Sequence, residues 1–152
     1  MEQTVGIPAV YRDGSCGWLD RADQGCEAVS GSYSRELILP WPARALHPNS
    51  RGHWSRRAKA VKAARYEAGI LTLRAGWQAI AWPAGRLHVW INAYPPDRRR
   101  RDTDGVLSSL KAALDGIADT IGIDDRRFVP HPYLHDEPRK AGEVRIRITG
   151  ES

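Results

Sequence analysis

Cysteine is scarce in this chain: Cys16 and Cys26 are the only two in 152 residues. Two thiols cannot build a disulfide framework, and neither has the neighbouring ligands that zinc spacing requires. Long apolar runs are missing altogether. No stretch approaches the roughly 18 residues that a membrane span needs, so a soluble chain with no membrane contact is expected. The opening residues, MEQTVGIPAVYRDG, hold neither the basic nor the apolar segment of a secretory signal, which makes the cytoplasm the expected compartment. No internal repeat divides the chain into copies.

What is present is charge, unevenly spread. The net charge is +5, with 41% hydrophobic and 27% charged residues, and this length suits one domain with a real core. Residues 1–33 hold two arginines (Arg12, Arg21) against five acids (Glu2, Asp13, Asp20, Asp23, Glu27), which leaves 21 basic against 13 acidic side chains in 34–152. A basic body of this kind suits a polyanionic partner, although solubility alone also produces it. Residues 1–34 are rich in Gly, Ser and other small residues and keep no period of 2 or 3.6. A loose, disordered extension is expected there, with the domain itself at 35–150.

Along the domain, ELIL (Glu36 to Leu39), closed by Pro40, Trp41 and Pro42, reads as a strand running into an irregular turn. ALHPNSRGHWS reads as a loop. With Ser55 as N-cap, the steps of three and four between Trp54, Ala58, Val61, Ala64, Ala68 and Leu71 predict an apolar helix face of about four to five turns. Arg56, Lys59, Lys62 and Arg65 recur on the other side, a ridge that is either solvated or phosphate-facing. LHVWINAY (Leu87 to Tyr94) alternates as a strand does. A second helix is predicted from Asp104 to about Ile121 on Leu107, Leu110, Leu114, Ile117 and Ile121, closed by Gly122. RRFVPHPYLH reads as a short, proline-interrupted strand and EVRIRIT (Glu143 to Thr149) as the last one. The expected fold class is α/β (α+β): a small mixed sheet packed against two main helices.

The stretch DRRRRDTDG (Asp97 to Gly105) asks for an explanation. Arg98, Arg99, Arg100 and Arg101 stand directly before Asp102 and Asp104, and planar guanidinium forks grip phosphates through paired bonds. On the helix that follows, Asp104, Ser108, Lys111, Asp115 and Asp119 step 4, 3, 4, 4 and line the face opposite the leucines. Asp124 and Asp125 come after the cap, where the chain can fold back toward the sheet. Carboxylates held together repel unless a cation joins them, so a deliberate cluster implies Mg²⁺ or Mn²⁺, which prefer oxygen ligands. Such a metal activates water and neutralises a phosphoryl group in transit, and Lys111 adds positive charge beside it. An ordinary reading accounts for the same residues: an acidic N-cap at Asp102 or Asp104, a Lys111 and Asp115 surface pair, and a turn at Asp124 and Asp125.

Four motifs in order, LPWP (Leu39 to Pro42), RRRRDTD (Arg98 to Asp104), KAALDGI (Lys111 to Ile117) and the acidic pair Asp124 and Asp125, resemble the RusA family of Holliday junction resolvases, common in phages and prophages. ALHPNSRGHW (Ala45 to Trp54) resembles the phage branch, and the resemblance runs over residues 35–149. It implies a RusA-like dimeric fold and a metal-dependent endodeoxyribonuclease that binds four-way DNA junctions as a homodimer and nicks two strands symmetrically. Mg²⁺ is the implied cofactor, with Mn²⁺ as substitute. Matched residue by residue, Asp102, Asp104 and Asp125 are the implied catalytic, metal-holding aspartates and Lys111 the functional lysine. Asp115 matches an acid after that lysine, with surface, dimer and catalytic roles all open. Two departures stand out. The family's D-x-D-N has Gly105 in place of the Asn, and Lys111 lies two helical turns beyond Asp104 where the founding member has one.

Beside the arginine run, the DNA-contact candidates are Arg51 and His53 in the loop before the first helix and Arg56 and Lys59 on it, with Asn49, Ser50 and Trp54 nearby. Trp54 and Trp90 otherwise read as core or interface residues. His131 and His135 are four apart, but Pro130 and Pro132 forbid a helix that would aim both at one metal, so a basic rim is expected.

Overall fold

The computed structural model describes residues 36–150; the extension expected at 1–34, with Cys16 and Cys26, lies outside them. Strand β1 (Glu36–Pro40), helix α1 (Trp54–Arg74), strand β2 (Leu87–Tyr94), helix α2 (Thr103–Ile121), strand β3 (Phe128–Leu134) and strand β4 (Glu143–Gly150) follow one another, with short 3-10 turns at Arg44–Leu46, Trp77–Ala79 and Asp125–Arg127. The sheet runs β1-β4-β2-β3, with β4 antiparallel to both neighbours and β2 parallel to β3. The fold is mixed α+β, a four-stranded mixed sheet with two helices.

Alternation decides which face of the sheet is buried. Leu87, Val89, Ile91 and Ala93 of β2 join Val144, Ile146 and Ile148 of β4 and Leu37 and Leu39 of β1 in one core with Leu110 and Ile117 of α2. Parallel pairing of β2 with β3 needs a long crossover, and α2 supplies it. Strand β3 forms in spite of Pro130 and Pro132 because it lies at the sheet edge. Residues two apart turn their N–H groups the same way, so both prolines lack donors that β2 does not use.

The other face carries His88, Trp90, Asn92 and Tyr94 of β2 beside His131 and Tyr133 of β3 and Arg145 and Arg147 of β4. Trp90 is therefore not a core residue: it is 39% exposed, stacks on His131 with centroids 4.4 Å apart and donates Nε1–H to Thr149. His135 stacks on Tyr94 and lies 3.0 Å from the Asn92 side-chain oxygen.

Helix α1 is capped by His53 instead of Ser55, the His53 Nδ1 accepting the Ser55 backbone N–H at 3.3 Å. It runs 21 residues, longer than the apolar pattern suggests, and its burial is confined to the second half, at Ala68 and Thr72. Trp54 is 75% exposed and Val61 is exposed as well. The period marks which side of a helix can be buried; it does not say how far the partner extends.

Helix α2 is enclosed more widely, with Val106, Ser109, Leu110, Ala112, Ala113, Gly116, Ile117 and Ala118 all buried. Small residues let α1 come close: a Cβ on Gly116 would lie 2.2 Å from the Arg65 carbonyl oxygen. Arg65 also closes the crossing with an ion pair, Nε and Nη2 lying 2.6 and 2.5 Å from Asp119 Oδ2. Gly122 ends α2 at φ 71°, where glycine carries no Cβ penalty. Among the described residues, no helix is long and apolar enough to cross a membrane.

Candidate nucleic-acid interface and acidic site

Asp97 organises the arginine loop. The Arg99 backbone N–H donates to Asp97 Oδ1 at 2.9 Å, and that bond, aided by Arg101, outweighs desolvation and holds the Asp97 carboxyl below the ordinary carboxylate range. Arg101 turns inward. Its Nη2 lies 2.8 Å from Asp97 Oδ1, its Nη1 donates to the carbonyls of Asp97 and Arg99, and its guanidinium sits 5.3 Å from the Trp41 ring centre. With a side chain only 20% exposed, Arg101 braces the loop, while Arg98, Arg99 and Arg100 remain exposed.

Two clefts meet beside this loop. One, of about 660 Å³, is lined by Arg44, His47, Asn49, Ser50, Arg51, His53, Arg56 and Arg57. The other, of about 370 Å³, is lined by Trp41, Arg44, His47, Arg99, Arg100 and Arg101 together with Val106 and Ser109 of α2. Arg44 and His47 belong to both. The expected contacts Arg51, His53 and Arg56 are thus gathered near Arg99 and Arg100, whereas Arg98 and Lys59 line neither cleft. Arg44, His47 and Arg57 are additions that the sequence pattern did not single out. Arg44 opens a 3-10 turn and His47 closes it at the start of a loop that the sequence marks by Pro, Asn, Ser and Gly, and what makes them neighbours of the arginine run is the packing of that segment against α2.

The acidic residues divide into two groups. Asp102 is the N-cap of α2, its Oδ2 accepting the Gly105 N–H at 2.7 Å while its Oδ1 lies 3.9 Å from His47 Nε2. Asp104 stands exposed in the first turn. About 10 Å further along the axis, Lys111 Nζ lies 3.6 Å from Asp115 Oδ1 and 3.7 Å from Asp125 Oδ2. With Ser108 these three rim a cleft of about 290 Å³ whose apolar floor includes Leu107, Leu114, Phe128 and Pro130. Asp125 is brought there by the 3-10 turn after α2. Asp124 caps that turn, and the Arg126 backbone N–H on its Oδ1 holds the Asp124 carboxyl below its usual range. Asp119 leaves the stripe to pair with Arg65 of α1. Fifteen positions beyond Asp104 it is rotated by about 60° at 3.6 residues per turn, so the acidic face holds from Asp104 to Asp115 and no further.

Among the described residues, no three Asp, Glu, His or Cys side chains are grouped so as to hold a metal ion. Magnesium does not require three, since it commonly takes one or two carboxylates and fills its shell with water and substrate phosphate. The exposed pair Asp102 and Asp104 fits that donor chemistry. Asp125 is held against Lys111 instead.

No family model matches the chain. It is 51% identical over 126 residues to a protein of Xylella fastidiosa (strain Temecula1) described as an uncharacterized protein, the match covering 82% of each chain. The chain belongs to that protein's family. The relationship spans most of both sequences and carries no statement about activity.

Proposed function

We propose that this protein is a metal-dependent, structure-specific endonuclease that acts on four-way DNA junctions as a homodimer, introducing paired symmetric nicks during recombination or repair. The observation that carries the reading is the closeness of two features at the start of α2: a joined pair of arginine-lined clefts whose His47 faces the N-cap Asp102, and an acidic face that begins at Asp104 and continues to Lys111. The order of LPWP, RRRRDTD, KAALDGI and the Asp124 and Asp125 pair, through which the chain resembles the RusA resolvases, supports the junction as substrate.

On this reading Arg44, Arg51, Arg56, Arg99 and Arg100 hold backbone phosphates, each through a planar fork. Asp102 and Asp104 would hold Mg²⁺, or Mn²⁺ in its place. When bound, such an ion lowers the pKa of a coordinated water and offsets negative charge on a phosphoryl group. Lys111, held between Asp115 and Asp125, supplies an ammonium that can turn toward a phosphate oxygen entering the Ser108 cleft.

The test is nicking of an end-labelled mobile four-way junction against linear duplex, in Mg²⁺ or in EDTA, with wild type and Asp104→Asn. Paired nicks confined to the junction, dependent on metal and absent from the variant, are expected. A non-cutting junction-binding protein is the alternative, favoured by Gly105 in place of the family's Asn and by the ion pair that holds Asp125 against Lys111. It would bind junctions without nicks in Mg²⁺ and Mn²⁺, and more tightly once Asp102, Asp104 and Asp125 were neutralised.

A further inference from the structure

Position 105 is crowded by the ends of two side chains. A Cβ there would lie 2.6 Å from Asp102 Oδ2, 2.9 Å from Asp102 Oδ1 and 2.8 Å from His47 Nε2, all inside the 3.0 Å limit that real Cβ contacts respect. Backbone conformation is not the reason, because the glycines with positive φ are Gly76, Gly122 and Gly142 and do not include Gly105. Glycine inside a helix is unfavourable by up to about 1 kcal/mol relative to alanine, less near an end. What occupies the space is the Asp102 carboxylate together with the imidazole of His47.

That ring is oriented before any ligand arrives. The Asn49 backbone N–H donates to His47 Nδ1 at 3.2 Å, so in the neutral ring the proton sits on Nε2, the atom that faces Asp102. The main chain is held on both sides: the His47 N–H donates to the Arg44 carbonyl at 3.1 Å, and the His47 carbonyl accepts the Ser50 N–H at 2.9 Å. Pro48 keeps His47 extended, at ψ 135°. The separation of 3.9 Å between Nε2 and Asp102 Oδ1 is longer than a hydrogen bond and leaves an electrostatic attraction between the N–H and the carboxylate.

We infer that His47 is a positioning residue of the candidate site: it sets the orientation of Asp102, whose other oxygen is tied to the Gly105 N–H, and the missing side chain of Gly105 makes room for it. Its role in cutting rests on the endonuclease reading; its pairing with Asp102 does not. The position of His47 in both basic clefts puts this control where a phosphate would meet the acid.

The experiment uses the full chain with His47→Ala, His47→Gln and Asp102→Asn. In single-turnover cutting of the four-way junction, His47→Ala lowers the rate by about 10- to 100-fold, the usual effect of freeing a group that orients a reacting one. His47→Gln, which can place an N–H near the same point, restores most of it. Junction affinity in EDTA falls far less than the rate does in both. Affinity falling in step with the rate would make His47 a plain phosphate contact, and a Gln variant no better than Ala would remove the positioning role. Long-range nitrogen–proton correlation NMR at about pH 8, above the ordinary imidazole range, reads the pairing without any activity. Protonated Nε2 and a shift of that nitrogen in Asp102→Asn, with Nδ1 little changed, support it. Protonated Nδ1, or no response, overturns it. Should the wild type cut no junction, the endonuclease reading falls and the NMR result alone decides the His47 and Asp102 pairing.

Discussion

Gly116→Ala asks how tightly α2 must be held for its acidic face to be in place. The added Cβ would stand 2.2 Å from the Arg65 carbonyl oxygen, about 1 Å inside an ordinary contact, and the obstacle is main chain, which cannot rotate away. Overpacking of a core contact costs about 1–3 kcal/mol, and a backbone obstacle belongs at the upper end. Alanine recovers about 1 kcal/mol of helix propensity over glycine, which leaves a net loss of about 2 kcal/mol, or roughly 5–10 °C in Tm for a domain of this size. Gly69→Ala is the matched control. It brings the same propensity gain, but its Cβ meets Thr120 Oγ1 at 3.1 Å, a side-chain atom. Thr120 can give by a few tenths of an ångström while keeping its bond to the Gly116 carbonyl. That variant is expected within about 1 kcal/mol of wild type. Urea and thermal unfolding followed by circular dichroism would measure both. A Gly116→Ala protein as stable as wild type, or a Gly69→Ala protein equally damaged, would refute the close-crossing argument.

Two other outcomes follow from the arginine loop. On the DNA-binding proposal, Arg99→Gln and Arg100→Gln each flatten the dependence of log K on log salt by about 0.9 for every phosphate no longer neutralised. Arg101→Gln changes that slope little but loosens the loop, because its guanidinium is bonded to Asp97 and to two carbonyls; equal slope changes for all three would contradict the inward placement of Arg101. Since folding lowers the Asp97 pKa, its contribution to loop order is present above the ordinary value near 3.8 and lost as pH falls through the lower folded value. The Arg99 amide resonance should follow that transition in acid, and in Asp97→Asn it should not.

Most of the local structure is legible in the residue pattern. Alternation in LHVWINAY and EVRIRIT placed β2 and β4 to within a residue, and the leucine pattern with Gly122 placed α2. These signals are legible because periodicity, capping and turn chemistry act within a few residues. The concentration of arginine before Asp102 was equally visible, since charge is a property of composition. The remainder follows from long-range packing. That packing left the first half of α1 unburied, brought Asp125 to Lys111 and sent Asp119 across to Arg65. It turned Arg101 inward and laid Arg44 and His47 over the start of α2. Each outcome depends on which surfaces meet and how closely, and those distances are set by side chains far apart in the chain. Gly105 shows the division most plainly: as a letter it is only a missing side chain, and the fold brings the Asp102 carboxylate and the His47 imidazole into the room it leaves.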